Sequence, residues 1–234
     1  MYNLQTIGRP QSKQISVESK SVFLNEKIRG QKSMKRALAV LVLTLCVGVL
    51  ASAQTLTPAE RERATKYLES TKQGVLDATA GLSEAQWNFK SAPDRWSVAE
   101  VTEHIAAAED LLRGMIINKV MTAPPRPAGE DVAAIDETII TMVPDRSHKA
   151  QAPETLKPVN RFGSPQETLK HFVEARQQTL DFLNQHDDLR AHAIDGPMGK
   201  KLDAYEWILF IAAHSERHTK QINEVKADPN FPKK

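Results

Sequence analysis

The stretch FIAAHSERHTKQI, residues 210–222, places two histidines, His214 and His218, four positions apart among apolar residues. Residues spaced by four share one face of a helix. Both histidines fall within a stripe that repeats at steps of three and four residues along segment 203–227. The apolar members of this stripe are Trp207, Phe210, Ile211, Ile222 and Val225. We therefore predict a helix whose two imidazoles point into a core, where burial costs free energy unless the ring nitrogens have partners.

Three segments further upstream carry the same helical signals. Each of the four segments begins with Ser, Thr or Asp followed three positions later by Glu, which is the capping-box signature of a helix start. The segments are 57–82, 97–121, 164–185 and 203–227. Two short links, 83–96 and 186–202, are predicted as loops. One long turn-rich connection, 122–163, joins the second segment to the third and could contain a short helix at 132–143. No segment alternates convincingly as a strand, so the pattern predicts an all-α protein, an antiparallel four-helix bundle with one long crossover connection.

The first 53 residues have the pattern of a targeting region. Residues 34–53 run from Lys35 and Arg36 through an apolar centre to the small residues ASA, which is the order of a secretory signal peptide cleaved after Ala53. We interpret the polar residues 1–33 as a misannotated or disordered extension, with translation beginning at position 34. The alternative is an uncleaved N-terminal anchor, although the apolar run is short for a membrane span of about 20 residues.

These features predict an exported protein, periplasmic or secreted, with a bundle domain at 54–234 and no stable membrane association after signal cleavage. The single cysteine, Cys46, lies in the apolar run, so the predicted domain has no thiolate for catalysis or metal binding. Residues 1–53 hold eight of the 31 basic and two of the 29 acidic residues, which leaves 23 and 27 for the domain. A mildly acidic domain is not expected to bind nucleic acid, which requires a basic face.

A third histidine has an inward-facing position on the second helix. His104 lies three residues after Val101 and four before Ala108, within the apolar stripe. A divalent metal ion is a shared partner for buried imidazoles, and His-x-x-x-His on a helix is a common way to place two ligands. We predict a metal site of His104, His214 and His218, with ordinary hydrogen bonding in the core as the alternative. The remaining histidines are expected at the surface: His148, His171, His186 and His192.

The residues around the three predicted ligands resemble those of a known family. The segment GLSEAQWNFKSAPDRWSVAEVTEHIAAAEDLL, residues 81–112, resembles the first half of a DinB-like domain (the DinB/YfiT-like metalloenzymes), where a Trp-Ser helix start precedes a Glu and then a metal-binding His. The segment HSERHTKQI resembles the His-x-x-x-His of that family's last helix. The resemblance covers residues 57–227. It implies a four-helix bundle, a divalent metal ion held by His104, His214 and His218, and a homodimer as a common state.

The resemblance does not determine the reaction, because the family contains thiol transferases, metal-dependent isomerases and many members without a known activity. Three protein ligands leave one coordination position open for a water molecule, whose pKa the ion lowers. Zinc, nickel, iron, copper and manganese are all candidates for the ion. We expect a metal-dependent hydrolase or a thiol or group transferase acting on an unidentified small molecule. The alternative is a non-catalytic metal- or ligand-binding bundle.

No clear catalytic acid or base accompanies the histidines, and we assign no catalytic residue. Glu100 lies one turn before His104, but its role in the capping box explains its presence. Glu103 and Glu216 each neighbour a predicted ligand, and a helix turns such neighbours about 100° away, so we expect both to be solvated. The link 83–96 contains two tryptophans, Trp87 and Trp96. We expect them to pack the link onto the end of the bundle. The alternative is that they form a wall of a substrate pocket.

Overall fold

The structure of the protein, a computed structural model, describes residues 55–149 and 151–233. The predicted extension, 1–33, and the predicted signal peptide, 34–53, lie outside these residues. Across the described part of the chain, no helix is both long enough and apolar enough to cross a membrane.

Helices dominate the described residues. The α-helices are α1 (Pro58–Thr79), α2 (Glu84–Asn88), α3 (Val98–Met115), α4 (Val132–Met142), α5 (Pro165–Gln185) and α6 (Ala204–Lys226). The helix α3 continues into a π-helical turn, Ile116–Val120, and two short 3₁₀ turns lie at Glu154–Leu156 and Pro197–Gly199. The strands β1 (Ala193–Asp195) and β2 (Lys201–Asp203) form an antiparallel pair. The short helix expected near 132–143 is therefore confirmed as α4.

Reciprocal capping boxes open the four long helices, as the sequence predicts. In each box the cap side chain accepts a hydrogen bond from the backbone N–H of the glutamate three residues later, and the glutamate carboxylate accepts one from the backbone of the cap. The boxes are Thr57 with Glu60, Ser97 with Glu100, Ser164 with Glu167, and Asp203 with Glu206. These starts are local in sequence, which is why they could be located without the fold.

The four long helices form two parallel pairs. Near the start of α6 the Tyr205 hydroxyl donates to the carbonyl of Glu60 near the start of α1 (2.9 Å), and at the other end Lys226 donates to the carbonyl of Ala78 (2.6 Å). α3 and α5 also run in one direction, because both begin in the core cluster of Val98 and Phe172 and end near the cluster of Ile116 and Leu183. Helices joined by the short links therefore run antiparallel.

The long crossover follows from this arrangement. α3 ends at one end of the bundle and α5 begins at the other, so the chain between them must return along the length of the bundle. α3 packs against both α5 and α6, and α1 packs against the same two helices. The predicted fold class is thus confirmed as an all-α four-helix bundle with one long crossover connection.

The links differ from the predicted loops. The first link contains the short helix α2, whose Gln86 side chain donates to the carbonyl of Pro232 (2.9 Å) and ties the link to the C-terminal segment. The second link contains the hairpin of β1 and β2, in which Ile194 pairs with Leu202. Its turn includes Gly196, where a Cβ atom would come within 2.6 Å of the Leu202 side chain. Three-residue strands are too short to show a period of two, so the sequence pattern missed them.

Charged side chains are buried inside the bundle in two places. Arg176 on α5 is fully buried and pairs with the buried carboxylate of Glu109 (2.8 Å). Nearer the start of α6, the buried guanidinium of Arg190 contacts the carboxylates of Asp136 (2.6 Å) and Asp203 (3.2 Å). Each buried charge has an opposite partner, which is the condition under which burial of ions is tolerated.

Candidate metal centre

The structure brings the three predicted ligands together. His104 projects from α3, and His214 and His218 project from the adjacent α6, one turn apart. The Nε2 atoms of His104 and His214 are 3.2 Å apart, and one ring nitrogen from each of the three residues lies within 4.8 Å of the others. His104 and His218 are buried, and His214 is half-buried. No other group of three or more His, Cys, Asp or Glu side chains with this spacing occurs in residues 55–149 and 151–233.

The tautomer of His104 follows from its hydrogen bond to the crossover. Its Nδ1 atom lies 2.9 Å from the carbonyl oxygen of Leu156. A carbonyl oxygen only accepts, so Nδ1 carries the proton. The Nε2 atom, which faces His214, is then the unprotonated nitrogen with a free lone pair.

The tautomer of His218 follows from a chain of two contacts. Its Nδ1 atom lies 2.8 Å from Oε1 of Gln221, and the same oxygen is 3.4 Å from Nη1 of Arg146. A guanidinium only donates, which identifies this amide atom as the oxygen. The His218 ring therefore donates through Nδ1, and its Nε2 atom also keeps a lone pair.

All three imidazoles are held neutral. Burial, with a further contribution from the neighbouring rings of His218 and His104, lowers the pKa of His214 well below its usual value. Burial and the nearby His104 lower the pKa of His218 to about 3. Burial also lowers the pKa of His104, although its bond to the Leu156 carbonyl opposes this. Neutral imidazole is the form that binds a metal ion.

Aromatic rings border the cluster. The Trp96 ring lies 5.0 Å from the His104 ring, and the Phe210 ring lies 6.3 Å from the His214 ring, measured between centroids. Trp87 is buried in the core cluster that contains Val98, so it packs the link onto the bundle as expected. Trp96 packs against the same hydrophobic core as Trp87, and its ring also lies at one side of the three histidines.

The expectation that Glu103 is solvated is wrong. The residue is only 6% exposed, and its carboxylate accepts hydrogen bonds from the backbone N–H groups of Val159, Asn160 and Arg161 (2.8, 2.9 and 3.2 Å). The helix does turn Glu103 away from the core, but the crossover covers that side of α3. The pattern of α3 alone gave no sign of this cover.

The other two glutamates near the ligands are engaged as well. Glu100 caps α3, as expected, and also pairs with Lys90 (2.7 Å). Glu216 is partly exposed, accepts a hydrogen bond from the Tyr67 hydroxyl (2.7 Å) and pairs with Lys220 (2.8 Å). Each carboxylate considered as an acid or base from the sequence therefore already has partners.

The remaining histidines lie outside the cluster. His148 is exposed, as predicted. The prediction of surface positions is only partly correct for the other three, which are half-buried because neighbouring segments pack on them. His171 forms a hydrogen bond with Asp110 (2.6 Å) and stacks on Phe162. His186 stacks on Phe182, and His192 pairs with Pro125 across a β-bridge.

The sequence pattern does not indicate the groups that orient His104 and His218. Gln221 could have been found, because it lies three residues after His218 and shares its helix face. Leu156 could not, since its backbone carbonyl carries no side-chain signal and lies 52 positions from His104 in an irregular segment. Arg146 reaches Gln221 from the turn after α4, a contact that depends on the fold.

Comparison with known proteins adds three findings. The family model of the DinB superfamily matches residues 67–222. The uncharacterized protein YuaE of Bacillus subtilis (strain 168) is 27% identical over 147 residues, which cover 62% of this chain and 86% of that protein. The solved structure of YfiT from Bacillus subtilis, described as "a probable metal-dependent hydrolase with an unusual four-helix bundle topology", is 13% identical, covers 76% of this chain and 93% of its own, and has a TM-score of 0.48.

Proposed function

The chain belongs to the DinB superfamily, and from this membership and its histidine cluster we propose that it is a divalent-metal-binding protein. His104, His214 and His218 would hold the ion. The observation that carries the proposal is the pair of fixed tautomers: His104 and His218 each donate through Nδ1, to Leu156 and to Gln221, and each keeps an unprotonated Nε2. Two buried lone pairs beside a third imidazole form a donor set that a cation satisfies.

The spacing of the nitrogens is compatible with such an ion. Tetrahedral zinc with bonds of about 2.1 Å separates its nitrogen ligands by about 3.4 Å. The Nε2 atoms of His104 and His214 are 3.2 Å apart, and all three candidate nitrogens lie within 4.8 Å of one another. The competing interpretation is a hydrogen bond from a protonated Nε2 of His214 to His104, which needs no ion.

We propose that the metal-bound protein is a hydrolase or a thiol or group transferase. A divalent ion with three protein ligands supplies Lewis acidity and activates a water or thiol group at its open position. The chain's own residues hold the three rings neutral and orient two of them, His104 through Leu156 and His218 through Gln221. Aromatic side chains, Trp96 and Phe210, border the rings.

A non-catalytic metal-binding bundle is the second candidate, and one observation favours it. The three carboxylates next to the ligands in sequence are all engaged: Glu100 by Lys90 and its cap, Glu103 by the crossover backbone, and Glu216 by Tyr67 and Lys220. An enzyme that relies on a general base needs a carboxylate or imidazole free to accept a proton. Catalytic activity of the metal-loaded protein would favour the enzyme. A lack of activity in the metal-loaded protein would favour the non-catalytic bundle.

We also propose that the protein is exported and that cleavage after Ala53 releases residues 54–234. The support is the order of basic, apolar and small residues in segment 34–53. The intact mass of the protein purified from cells that express the full chain distinguishes cleavage from an uncleaved anchor.

The experiment that tests the metal site is elemental analysis of the same purified protein. We expect about one divalent ion per chain, and we expect His104→Ala and His218→Ala to lose it. His148→Ala is the matched control, because His148 is exposed and outside the cluster. Metal-loaded protein is then screened for hydrolysis and thiol transfer. Absence of bound ion after incubation with zinc, nickel and manganese would overturn the proposal and leave core hydrogen bonding as the role of the three histidines.

A further inference from the structure

We propose that Glu103 and Arg161 are positioning residues of the histidine cluster, which act on His104 through the carbonyl of Leu156. The inference rests on the proposed function, because it assigns these two residues the task of keeping one ligand nitrogen available. Glu103 immediately precedes His104 on α3, and both residues bind the same part of the crossover, residues 156–161.

The carboxylate of Glu103 anchors one end of this part of the crossover. It accepts hydrogen bonds from three successive backbone N–H groups, at residues 159–161, and one from Nε of Arg161 (3.1 Å). Asn160 adopts a positive φ of 59°, which turns the successive N–H groups toward one point and forms an anion-binding nest. All of these contacts are donors, and the Arg161 guanidinium is also the ion-pair partner of the Glu103 carboxylate (3.1 Å).

Arg161 extends the anchor to the other end. Its guanidinium donates to the carbonyl of Thr155 (3.2 Å) and to the carbonyl of Lys157 (2.7 Å). These two carbonyls flank the carbonyl of Leu156, which accepts the proton on Nδ1 of His104 (2.9 Å). Glu103 therefore holds Arg161, and Arg161 holds the peptide groups on both sides of the carbonyl that orients His104.

The consequence for the site is the choice of tautomer at His104. With the Leu156 carbonyl in place, the proton stays on Nδ1 and Nε2 is free to bind an ion. If this part of the crossover shifts, Nδ1 loses its acceptor, and a proton on Nε2 can instead bond to the Nε2 atom of His214. Groups that orient metal-ligating histidines contribute about 10- to 100-fold to metal affinity.

The test uses Glu103→Gln in the full chain. Glutamine keeps the shape of the glutamate side chain, but its NH₂ group is a donor that faces backbone N–H donors. The hydrogen bonds to one of the two carboxylate oxygens are therefore lost. Glu167→Gln is the matched control, because Glu167 also accepts backbone and hydroxyl hydrogen bonds but does so at the start of α5, in the box with Ser164. We expect zinc affinity, measured by competition with a chelator, to fall about 10- to 100-fold in Glu103→Gln and to stay within about twofold in the control.

A second measurement reads the tautomer in metal-free protein. Long-range ¹H–¹⁵N spectra of the imidazoles distinguish a proton on Nδ1 from one on Nε2. We expect His104 to carry its proton on Nδ1 in the unmodified protein and to populate the other tautomer in Glu103→Gln. If that variant does not fold, Arg161→Lys is the substitute, since lysine cannot bridge both flanking carbonyls, and we expect the same change of tautomer with about tenfold weaker zinc binding.

The outcomes separate this inference from the proposed function. Zinc binding by the unmodified protein with an unchanged affinity and tautomer in Glu103→Gln would overturn the inference and leave the proposed function intact. Lower stability without a change of tautomer would also overturn it, because it would reduce Glu103 to a structural role. If the unmodified protein binds no metal, the proposed function fails, and a tautomer that still depends on Glu103 would support the positioning role by itself.

Discussion

Two ring nitrogens of the histidine cluster have oxygen partners. Nδ1 of His104 and Nδ1 of His218 donate to oxygen atoms, which removes the cost of burying them. The Gln221 oxygen serves two donors, His218 and Arg146. A substitution at Gln221 would therefore act on the ring orientation of His218, even though the glutamine itself does not reach the other histidines.

The low pKa of His218 predicts a pH dependence of stability in metal-free protein. The folded pKa is about 3, whereas an unfolded histidine has a pKa of about 6.5. Above pH 6.5 both states are neutral and the contribution is constant. As the pH falls below 6.5, only the unfolded state takes up this proton, so the free energy of unfolding decreases by up to about 1.4 kcal/mol per pH unit.

The difference between the unmodified protein and His218→Asn isolates this effect. Both proteins are unfolded with urea between pH 4.5 and 8, with a chelator present to keep them metal-free. Their free energies of unfolding should converge or cross as the pH falls. Stability curves that stay parallel over this range would contradict a neutral His218 in the folded state.

At the scale of elements, one side chain of α5 contacts the three other long helices. The guanidinium of Arg176 donates to the carbonyl of Leu68 on α1 (2.7 Å), to Glu109 on α3 (2.8 and 2.9 Å) and to the hydroxyl of Ser215 on α6 (2.7 Å). Ser215 directly follows His214, so this network fixes the position of α6 at the histidine cluster. The hydroxyl of Thr179 adds a further hydrogen bond to Glu109 (2.7 Å).

Arg176→Met should strongly destabilise the bundle. The substitution leaves the buried carboxylate of Glu109 without its cation, and breaking a buried pair in this way costs about 3–5 kcal/mol. Chemical denaturation measures the change. The control is Lys66→Met, which breaks an exposed pair with Glu62 on the surface of α1 and should have no measurable effect. A double variant, Arg176→Met with Glu109→Gln, should lose less stability than Arg176→Met alone, and an equal loss would argue against an unpaired charge as the cause.

At the scale of the whole molecule, the order of helix directions creates the histidine site. α3 and α6 run antiparallel and side by side, so His104 meets residues that follow it by more than 100 positions in sequence. The crossover that makes this possible also supplies the Leu156 carbonyl. The homodimer implied by the family resemblance stays a prediction.

A bound ion would cross-link α3 to α6, so metal should stabilise the whole fold. A ligand that binds only the folded state adds about 2.7 kcal/mol at a concentration one hundred times its Kd. We expect the melting temperature to rise when zinc is added and to fall when a chelator removes it. His104→Ala should abolish the response, because it removes the only ligand on α3, whereas His148→Ala should keep it. An equal shift in both variants would point to metal binding elsewhere.

Local sequence patterns predict the helical content, the four capped helix starts and the inward positions of His104, His214 and His218. These features depend on local hydrogen bonds and on the helical period, which neighbouring residues encode. Long-range packing produces the parallel pairing of α3 with α5, the burial of Glu103 and the contact of the Leu156 carbonyl with His104. Each of these depends on where a distant segment packs, and a backbone carbonyl or a covered helix face leaves no periodic signal in the chain.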